Sequence, residues 1–370
     1  MNKIALVTGA SSGIGDMNTP SMNYQLLGRS GLRVSDLCLG TMTFGEEWGW
    51  GAAKDEARKI YDAYREAGGN FIDTANVYTN GSSEKMVGEF VAGHREEVVL
   101  ATKYTNAAPG TDANAGGNQR KNMVQAVEAS LKRLGTDYID LYWLHFWDQI
   151  TPAEEVMRAF DDLVRAGKVI YVGISDAPAW VVAKSNTLAE LRGWTRYVGL
   201  QIEYSLLERT VERELVPMAK DQQMTVLAWS PLRNGLLTGK YLPENLKQSE
   251  GDGARMHTEM MKGFFGTVEE ATHAIVREVV AVGKELGVSA AQVALAWLRY
   301  CPVPVIPIIG ARKLSQFEDN IRSLNVTLSP EQLQRLDKIT AVSRGFPHSY
   351  MALEPVKAML YGGLRDRIKA

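Results

Sequence analysis

Short apolar runs alternate with helix-like segments along this chain from about residue 37 onward. Each run carries apolar residues on both of its alternating faces, which is typical of strands buried on both sides, as in a parallel sheet. The eight runs are Cys38–Met42, Asn70–Ala75, Val98–Tyr104, Tyr138–His145, Val169–Ser175, Tyr197–Tyr204, Thr225–Ser230 and Val303–Gly310.

The segments between these runs have the spacing of amphipathic helices. Ala53–Ala67, Lys121–Leu134 and Glu154–Ala166 place apolar residues three and four positions apart. A repeated strand–helix unit predicts the α/β class. Eight such units over about 290 residues favour a closed (β/α)8 TIM barrel. Periodicity alone does not exclude the alternative, an open, doubly wound sheet.

Additional elements are expected before and after the barrel strands. Tyr24–Leu26 and Arg33–Asp36 predict a short β-hairpin that plugs the N-terminal end of the barrel. The polar stretch Pro243–Gly263 predicts a mobile loop over the C-terminal face. Residues 345–370 are expected to fold over the barrel mouth or to dock elsewhere, and residues 22–370 to form one domain. Further helices are predicted at Val268–Leu286, Ala290–Tyr300 and, with Ser329 as N-cap, Pro330–Ile339.

Composition and charge narrow the class of protein. With 370 residues, 45% of them hydrophobic, the chain can bury a sizeable core. A net charge of -2 and a pI near 6.3 give no electrostatic reason to expect nucleic acid or an anionic membrane as a partner. Cys38 and Cys301 lie in apolar stretches and are expected to be buried free thiols. Without a secretory signal or an apolar run of about 20 residues, a soluble cytoplasmic protein is predicted.

The first residues contain a glycine-rich stretch that invites a different interpretation. Ile4–Gly15 is an apolar strand followed by a glycine turn, and it resembles the opening of short-chain dehydrogenases. Such a turn binds a dinucleotide only when a helix follows it, and Pro20 prevents that. No Tyr in the chain has a Lys four positions later, so that family's catalytic pair is also missing. We therefore predict that residues 1–21 are a disordered remnant or appended extension. A Rossmann dehydrogenase is the alternative.

Four ionisable residues follow the ends of three successive predicted strands. Asp73, Tyr78, Lys103 and His145 are all expected on one face, because the C-terminal ends of parallel strands open together. Each residue also has a simpler interpretation. Asp73 and Lys103 would form a structural ion pair, Tyr78 would be a rim aromatic, and His145 would be a core histidine.

Together, the four residues supply what carbonyl reduction needs. Tyr78 is a suitable acid if its pKa falls well below the usual value of about 10. A nearby Lys103 ammonium would lower that pKa, and Asp73 would keep the ammonium charged and oriented. A neutral His145 can donate a hydrogen bond to the substrate oxygen.

Longer segments around these residues resemble the aldo-keto reductase family over residues 22–340. The matching segments are Gly40–Gly45, Phe71–Tyr78, Ala101–Lys103, Ser130–Leu141 and Leu144–His145. The resemblance implies a catalytic tetrad of Asp73, Tyr78, Lys103 and His145. It also implies reversible reduction of aldehydes or ketones, and a nicotinamide cofactor bound on the barrel without a Rossmann fold.

The same resemblance implies a set of cofactor contacts. Asp176 occupies a position where the family more often has Asn, and Asp319 one where Glu is common. Tyr204 is expected to stack on the nicotinamide, and Arg312 to pair with a 2′-phosphate, which favours NADPH over NADH. The full set is Gly40, Thr41, Met42, Asp73, Ser175, Asp176, Gln201, Tyr204, Trp229, Ser230, Pro231, Leu232, Gly235, Leu236, Lys240, Gly310, Arg312, Gln316, Asp319 and Asn320.

The substrate is expected to be a small carbonyl compound or alcohol. Residues expected to bind it are Trp48, Trp50, Tyr78, His145, Phe146 and Trp147. The five His and two Cys residues show no metal-ligand spacing, so no metal site is predicted. The alternative function is a nucleotide-sensing auxiliary subunit similar to the β subunits of potassium channels. The sequence predicts no oligomeric state.

Overall fold

A computed structural model of the chain describes residues 20–106, 112–248 and 269–368. The predicted extension up to residue 19 and most of the predicted loop Pro243–Gly263 lie outside the described residues. Pro243–Gln248, at the start of that loop, forms a 3-10 helix.

Eight parallel strands form a closed barrel, which confirms the predicted (β/α)8 architecture. They follow one another around the ring, and the last strand pairs with the first to close it. The hairpin strands are β1 (Tyr24–Leu26) and β2 (Arg33–Ser35). The barrel strands are β3 (Cys38–Gly40), β4 (Phe71–Asp73), β5 (Val99–Tyr104), β6 (Ile139–Leu144), β7 (Val169–Ser175), β8 (Tyr197–Glu203), β9 (Thr225–Trp229) and β10 (Val305–Ile309).

The helices between Lys54 and Ile339 pack around the barrel and bury apolar residues against it. One helix begins at the predicted Pro330, and Ser329 caps it through a reciprocal capping box with Gln332. The helices are α1 (Lys54–Glu66), α2 (Ser82–Val91), α3 (Arg120–Leu134), α4 (Ala153–Arg165), α5 (Ala179–Arg192), α6 (Leu215–Asp221), α7 (Glu270–Leu286), α8 (Ala290–Trp297), α9 (Leu314–Ile321), α10 (Pro330–Ile339), α11 (His348–Met351) and α12 (Glu354–Tyr361).

The β1–β2 hairpin plugs the N-terminal end of the barrel, as predicted. Leu27 and Val34 are fully buried in the same apolar cluster as the inward-facing strand residues. The Gly28 N–H donates to Thr225 Oγ1 at 2.7 Å, at the start of β9. Gly28 has φ +53°, and a Cβ there would lie 2.1 Å from the Val198 carbonyl oxygen. Only glycine fits this contact. Because the hairpin closes this end, the barrel opens at its other end.

The chain beyond α10 contacts the residues that lead into α6. Arg213 Nε donates to the Ser343 carbonyl at 2.8 Å, and His348 Nε2 lies 2.9 Å from Glu214 Oε1. These contacts hold the C-terminal segment beside the start of α6. Among the described residues, no single helix has the length and apolar composition to cross a bilayer. The helical segments Glu270–Leu286 and Ala290–Tyr300 meet the length and composition criteria only when they are taken as a pair, and the pair is bent by 101°.

Candidate active site

Asp73 and Lys103 lie on adjacent strands and face the barrel interior. Asp73 is in register with Ala101, two residues before Lys103, so both side chains project from the same face. Asp73 is 2% exposed and Lys103 is 0% exposed. Lys103 Nζ donates to Asp73 Oδ2, to the Thr74 carbonyl at 2.8 Å and to Tyr78 Oη at 3.0 Å. An ammonium has three N–H donors. All three of Lys103 are used, so the position of its nitrogen is fixed.

The charge of this buried lysine depends on its partners. Burial alone would lower the pKa of Lys103, but the charge of Asp73, helped by Tyr78, outweighs burial and raises it. Lys103 therefore remains an ammonium at neutral pH. A cation is fixed beside the phenol oxygen of Tyr78.

Two strained residues direct Tyr78 toward the barrel mouth. Thr79 and Asn80 have φ of 45° and 55°, a left-handed conformation that is uncommon for residues other than glycine. The Thr79 hydroxyl donates to the Phe44 carbonyl at 2.7 Å and accepts the Ser83 N–H at 3.1 Å. These contacts hold the turn that follows β4 and thereby fix the direction of Tyr78.

The pKa of Tyr78 differs from the expectation. Burial raises it above the ordinary value of 10.0, and the charge of Lys103 only partly offsets that effect. The prediction that Lys103 brings the pKa of Tyr78 well below 10 is therefore wrong. Tyr78 remains a neutral phenol at neutral pH. Because Lys103 donates to its oxygen, the phenol hydrogen is left for another acceptor.

His145 follows β6 and faces Tyr78, with ring centroids 6.0 Å apart. Burial, with a smaller contribution from the Lys103 charge, lowers the pKa of His145 well below its usual 6.5. The ring is therefore neutral. Asn106 Nδ2 lies 3.3 Å from His145 Nδ1. Since an amide nitrogen only donates, Nδ1 accepts, and the proton resides on Nε2.

Aromatic side chains form the walls beside these two residues. Trp48 lies edge-on to Tyr78 with ring centroids 6.4 Å apart, and it contacts Trp50 at 5.7 Å. Phe146 stacks on His145 at 4.4 Å and is 42% exposed. Trp147 instead packs against the large apolar cluster between the barrel and its helices. The structure thus brings three of the four predicted aromatic substrate residues together at the mouth.

Part of the expected cofactor set lies close to the tetrad. The Thr41 N–H donates to the Asp73 carbonyl at 2.9 Å, directly after Gly40. Gln201 Nε2 donates to Asp73 Oδ1 at 3.0 Å. Ser175, at the end of β7, is buried and is in register with Gln201. Met42 follows Thr41 and is partly exposed.

Asp176 and Trp229 meet at the same face. Trp229 Nε1 donates to Asp176 Oδ1 at 3.0 Å. Asp176 has φ +42°, which turns the chain sharply after β7. Burial raises the pKa of Asp176 from its usual value to about 6, and the charge of Glu203 adds to the increase.

Tyr204 does not lie at this face, and the expectation for it requires correction. Side chains alternate along β8, so Gln201 and Glu203 point into the barrel and Tyr204 points outward. Tyr204 is 0% exposed, donates to Glu212 Oε1 at 2.9 Å and packs edge-on against Trp297. On the next strand, Trp229 is in register with the inward-facing Glu203 and is the aromatic residue that reaches the mouth.

The turn after β9 is built from residues with left-handed backbone. Arg233, Asn234 and Gly235 have φ of 47°, 53° and 90°, and the Arg233 and Gly235 N–H groups donate within the turn to the Ser230 and Leu232 carbonyls, at 2.7 and 2.9 Å. Within the described part of the chain, Asn234 Nδ2 is buried without a hydrogen-bond partner. This side-chain donor fits an anionic group such as the pyrophosphate of a dinucleotide. The same turn contains the predicted residues Ser230, Pro231, Leu232, Leu236 and Lys240.

The predicted adenosine residues follow β10. Gly310 is exposed, and the Arg312 N–H donates to Gln316 Oε1 at 3.0 Å. Asp319 instead holds the start of α8, because its two oxygens accept from Ser289 Oγ at 2.8 Å and Gln292 Nε2 at 2.6 Å. The neighbouring Asn320 is buried.

Sequence reasoning missed several residues that build this site. Thr105 has φ +97°, and its hydroxyl accepts from the His145 N–H at 3.3 Å and from Asn118 Nδ2 at 2.9 Å. Asn106 sets the His145 tautomer, and Glu203 forms an ion pair with Arg233. The one available signal was proximity, since Thr105 and Asn106 follow Lys103 closely. Polar residues after a strand are common in ordinary loops, so this signal is weak.

Comparisons with known proteins agree with this geometry. Residues 36–341 match the family model described as the Aldo/keto reductase family. The chain is 42% identical over 88% of its length to the norsolorinic acid reductase StcV of Emericella nidulans, covering 83% of that protein. It is 37% identical over 88% of its length to an aryl-alcohol dehydrogenase [NADP(+)] of Phanerodontia chrysosporium, covering 87% of it. A putative aryl-alcohol dehydrogenase of Saccharomyces cerevisiae, AAD14, is 36% identical, with 88% of each chain covered.

Proposed function

Because this chain belongs to the aldo/keto reductase family and is an oxidoreductase that acts on carbonyl or alcohol groups, we propose that it reduces an aldehyde or ketone with NADPH. Tyr78 donates the proton, and the reaction is reversible. The observation that carries the proposal is the hydrogen bond from Lys103 Nζ to Tyr78 Oη at 3.0 Å, at the open end of the barrel.

The roles of the four residues follow from their contacts. When bound, the reduced nicotinamide supplies a hydride to the carbonyl carbon. The raised pKa of Tyr78 keeps the phenol protonated until the reaction, in which it gives its proton to the carbonyl oxygen and the alcohol forms. Lys103 stabilises the phenolate that remains until solvent returns a proton. His145, with its proton on Nε2, donates to the same carbonyl oxygen and positions it.

The donor set of the barrel mouth supports a dinucleotide cofactor. The Asn234 side chain, a buried donor without a partner among the described residues, would bind the pyrophosphate. Ser175 and Gln201 would face the nicotinamide, and Trp229 replaces Tyr204 as the aromatic residue beside it. Arg312, at the predicted adenosine end, would pair with a 2′-phosphate through its planar fork, which favours NADPH over NADH.

The aromatic walls support an aromatic carbonyl substrate. Trp48 stands edge-on to Tyr78, and Phe146 stacks on His145. A planar ring can pack between such side chains while its carbonyl group reaches Tyr78. Relatives named aryl-alcohol dehydrogenase are consistent with this substrate class.

Replacing Tyr78 with Phe tests the proposal. We expect Y78F to lower turnover of aromatic aldehydes by about 10²- to 10⁴-fold, the usual contribution of a general acid, while the Kd for NADPH is unchanged. Tyr350, which is 51% exposed on α11, provides the matched control Y350F. Unchanged turnover in Y78F would overturn the assignment. NADPH binding without turnover on a broad carbonyl panel would instead favour a nucleotide-sensing role.

A further inference from the structure

Asp176 is a carboxyl group at the barrel mouth for which the proposed reaction has no use. Its N–H donates to the Gln201 carbonyl at 3.3 Å, and its own carbonyl accepts the Trp147 N–H at 3.4 Å. Its side chain accepts from Trp229 Nε1. Backbone and side chain are therefore both fixed, and the carboxyl has a defined direction.

The charges that face Asp176 come from three sides of the barrel. Glu203 on β8 repels its negative charge, and Lys103 on β5 attracts it. Lys103, however, uses its three donors on Asp73, Thr74 and Tyr78. On the turn after β9, Arg233 forms an ion pair with Glu203. Among the ion pairs of the described residues, none includes Asp176. Its carboxylate is thus a negative charge without a cationic partner of its own.

The field of this carboxylate reaches the reaction centre, because the charge of Asp176 is among those that raise the pKa of the Tyr78 phenol. A hydride must be delivered beside that phenol, so the nicotinamide ring of the proposed cofactor must lie within the same field. The oxidised ring is a cation and the reduced ring is neutral. A carboxylate in a partly buried site attracts the cation and has little effect on the neutral ring.

We propose that the Asp176 carboxylate makes this protein bind NADP+ more tightly than NADPH, and that protonation of the carboxyl removes the preference. The inference rests on the proposed function, because it requires a nicotinamide at the barrel mouth. Asp176 thereby shifts the equilibrium between bound NADPH and bound NADP+ toward NADP+. A neutral asparagine at this position would not have that effect.

Titration of Asp176 adds a second signature. Its pKa of about 6 means that it is largely ionised at about pH 8 and largely protonated at about pH 5. By linkage, a cation that binds beside a carboxyl lowers its pKa and expels its proton. Near pH 6, NADP+ binding should release more protons than NADPH binding. The 2′-phosphate is common to both nucleotides, so its own titration cancels in the difference.

Equilibrium binding tests the inference without turnover. The Kd values of NADP+ and NADPH are measured by fluorescence titration at about pH 5 and about pH 8. For the wild type, we expect the preference for NADP+ to be at least about tenfold greater at the higher pH. D176N should lose this pH dependence and D176E should retain it. E190Q removes the same charge from the exposed side of α5, so it should behave as the wild type.

The outcomes separate the two proposals. Suppose that both nucleotides bind, and that the ratio of their Kd values does not depend on pH in the wild type, or depends on pH in D176N as it does in the wild type. The role of Asp176 is then refuted and the proposed function stands. If neither nucleotide binds, both are overturned. Should D176N fail to fold, the difference in proton release by the wild type decides, because it requires no variant. Equal release for the two nucleotides would refute the inference.

Discussion

Gln201 donates a hydrogen bond to Asp73 across the width of the barrel, with Nε2 and Oδ1 3.0 Å apart. Their strands, β8 and β4, lie on opposite sides of the ring of eight strands. Asp73 is therefore held from two directions, by Lys103 on the neighbouring strand and by Gln201 from the far wall. This arrangement fixes the carboxylate on which the position of Lys103 depends.

Replacing Gln201 with Leu should reduce stability. The buried Asp73 carboxylate would lose one of its donors, so we expect the free energy of unfolding to fall by about 1–3 kcal/mol. Urea unfolding measures this change. Gln125 is exposed on α3, and Q125L provides a matched control that should stay within about 0.5 kcal/mol of the wild type. Equal stability of the two variants would contradict the importance of the cross-barrel bond.

Replacing Lys103 with Met should affect the two directions of reaction differently. Without the ammonium, the pKa of Tyr78 rises further, because Lys103 lowers it. Oxidation of an alcohol uses the phenolate as base, so kcat for oxidation should fall more than kcat for reduction. The variant also leaves Asp73 unpaired, which costs about 3–5 kcal/mol. The double variant D73N/K103M should recover stability but not activity, which separates the two effects.

Asn106 offers a test of the His145 tautomer. In N106L, the loss of the donor to Nδ1 should lower kcat for reduction by about 2- to 10-fold, while nucleotide affinity is unchanged. In N106D, a carboxylate would accept from Nδ1 and remove the proton from Nε2, so the loss should be larger. Nitrogen chemical shifts of the imidazole report the tautomer directly. A smaller effect for N106D than for N106L would refute this role.

Arg312 should determine the preference for NADPH over NADH. Loss of a charge-assisted contact to the 2′-phosphate in R312Q should raise the Kd for NADPH by about 10- to 100-fold and leave that for NADH unchanged. Arg192 is exposed at the end of α5, and R192Q controls for the change in net charge. If R312Q weakens both nucleotides equally, Arg312 does not contact the 2′-phosphate.

The neutral His145 should make the protein sensitive to acid. Burial lowers its native pKa well below 6.5, so below about pH 6.5 the unfolded chain binds a proton that the native state does not. Stability should therefore fall as pH falls, by up to about 1.4 kcal/mol per pH unit from this group. Urea unfolding of the wild type and H145Q at several pH values isolates this contribution. Parallel curves would contradict it.

The order of strands and the convergence of Asp73, Tyr78, Lys103 and His145 at one end of the barrel could be predicted from sequence because both depend on local patterns. Apolar runs mark the strands, and residues that follow them lie at one end of a parallel barrel. The predicted strands extend too far at some ends. Asn70–Ala75, for example, shortens to Phe71–Asp73.

The errors concern features that depend on three dimensions. The family resemblance places Tyr204 at the mouth, but it lies an odd number of residues from Gln201, and alternation therefore points it outward. The pKa of Tyr78 depends on how deeply the phenol is buried, which the sequence does not reveal. The contact of Asn106 with His145 joins two loops, and only the folded chain brings them together.

The hairpin at the N-terminal end has a practical consequence for handling the protein. Substrate and product must share one entrance, since β1 and β2 obstruct the opposite opening. The chain enters the fold at the obstructed end, where the Met22 N–H bonds to the Ala67 carbonyl at 3.1 Å. An affinity tag or resin linkage placed ahead of Pro20 would therefore attach the protein at the closed end of the barrel. An immobilised preparation made in this way would leave its entrance facing the solution.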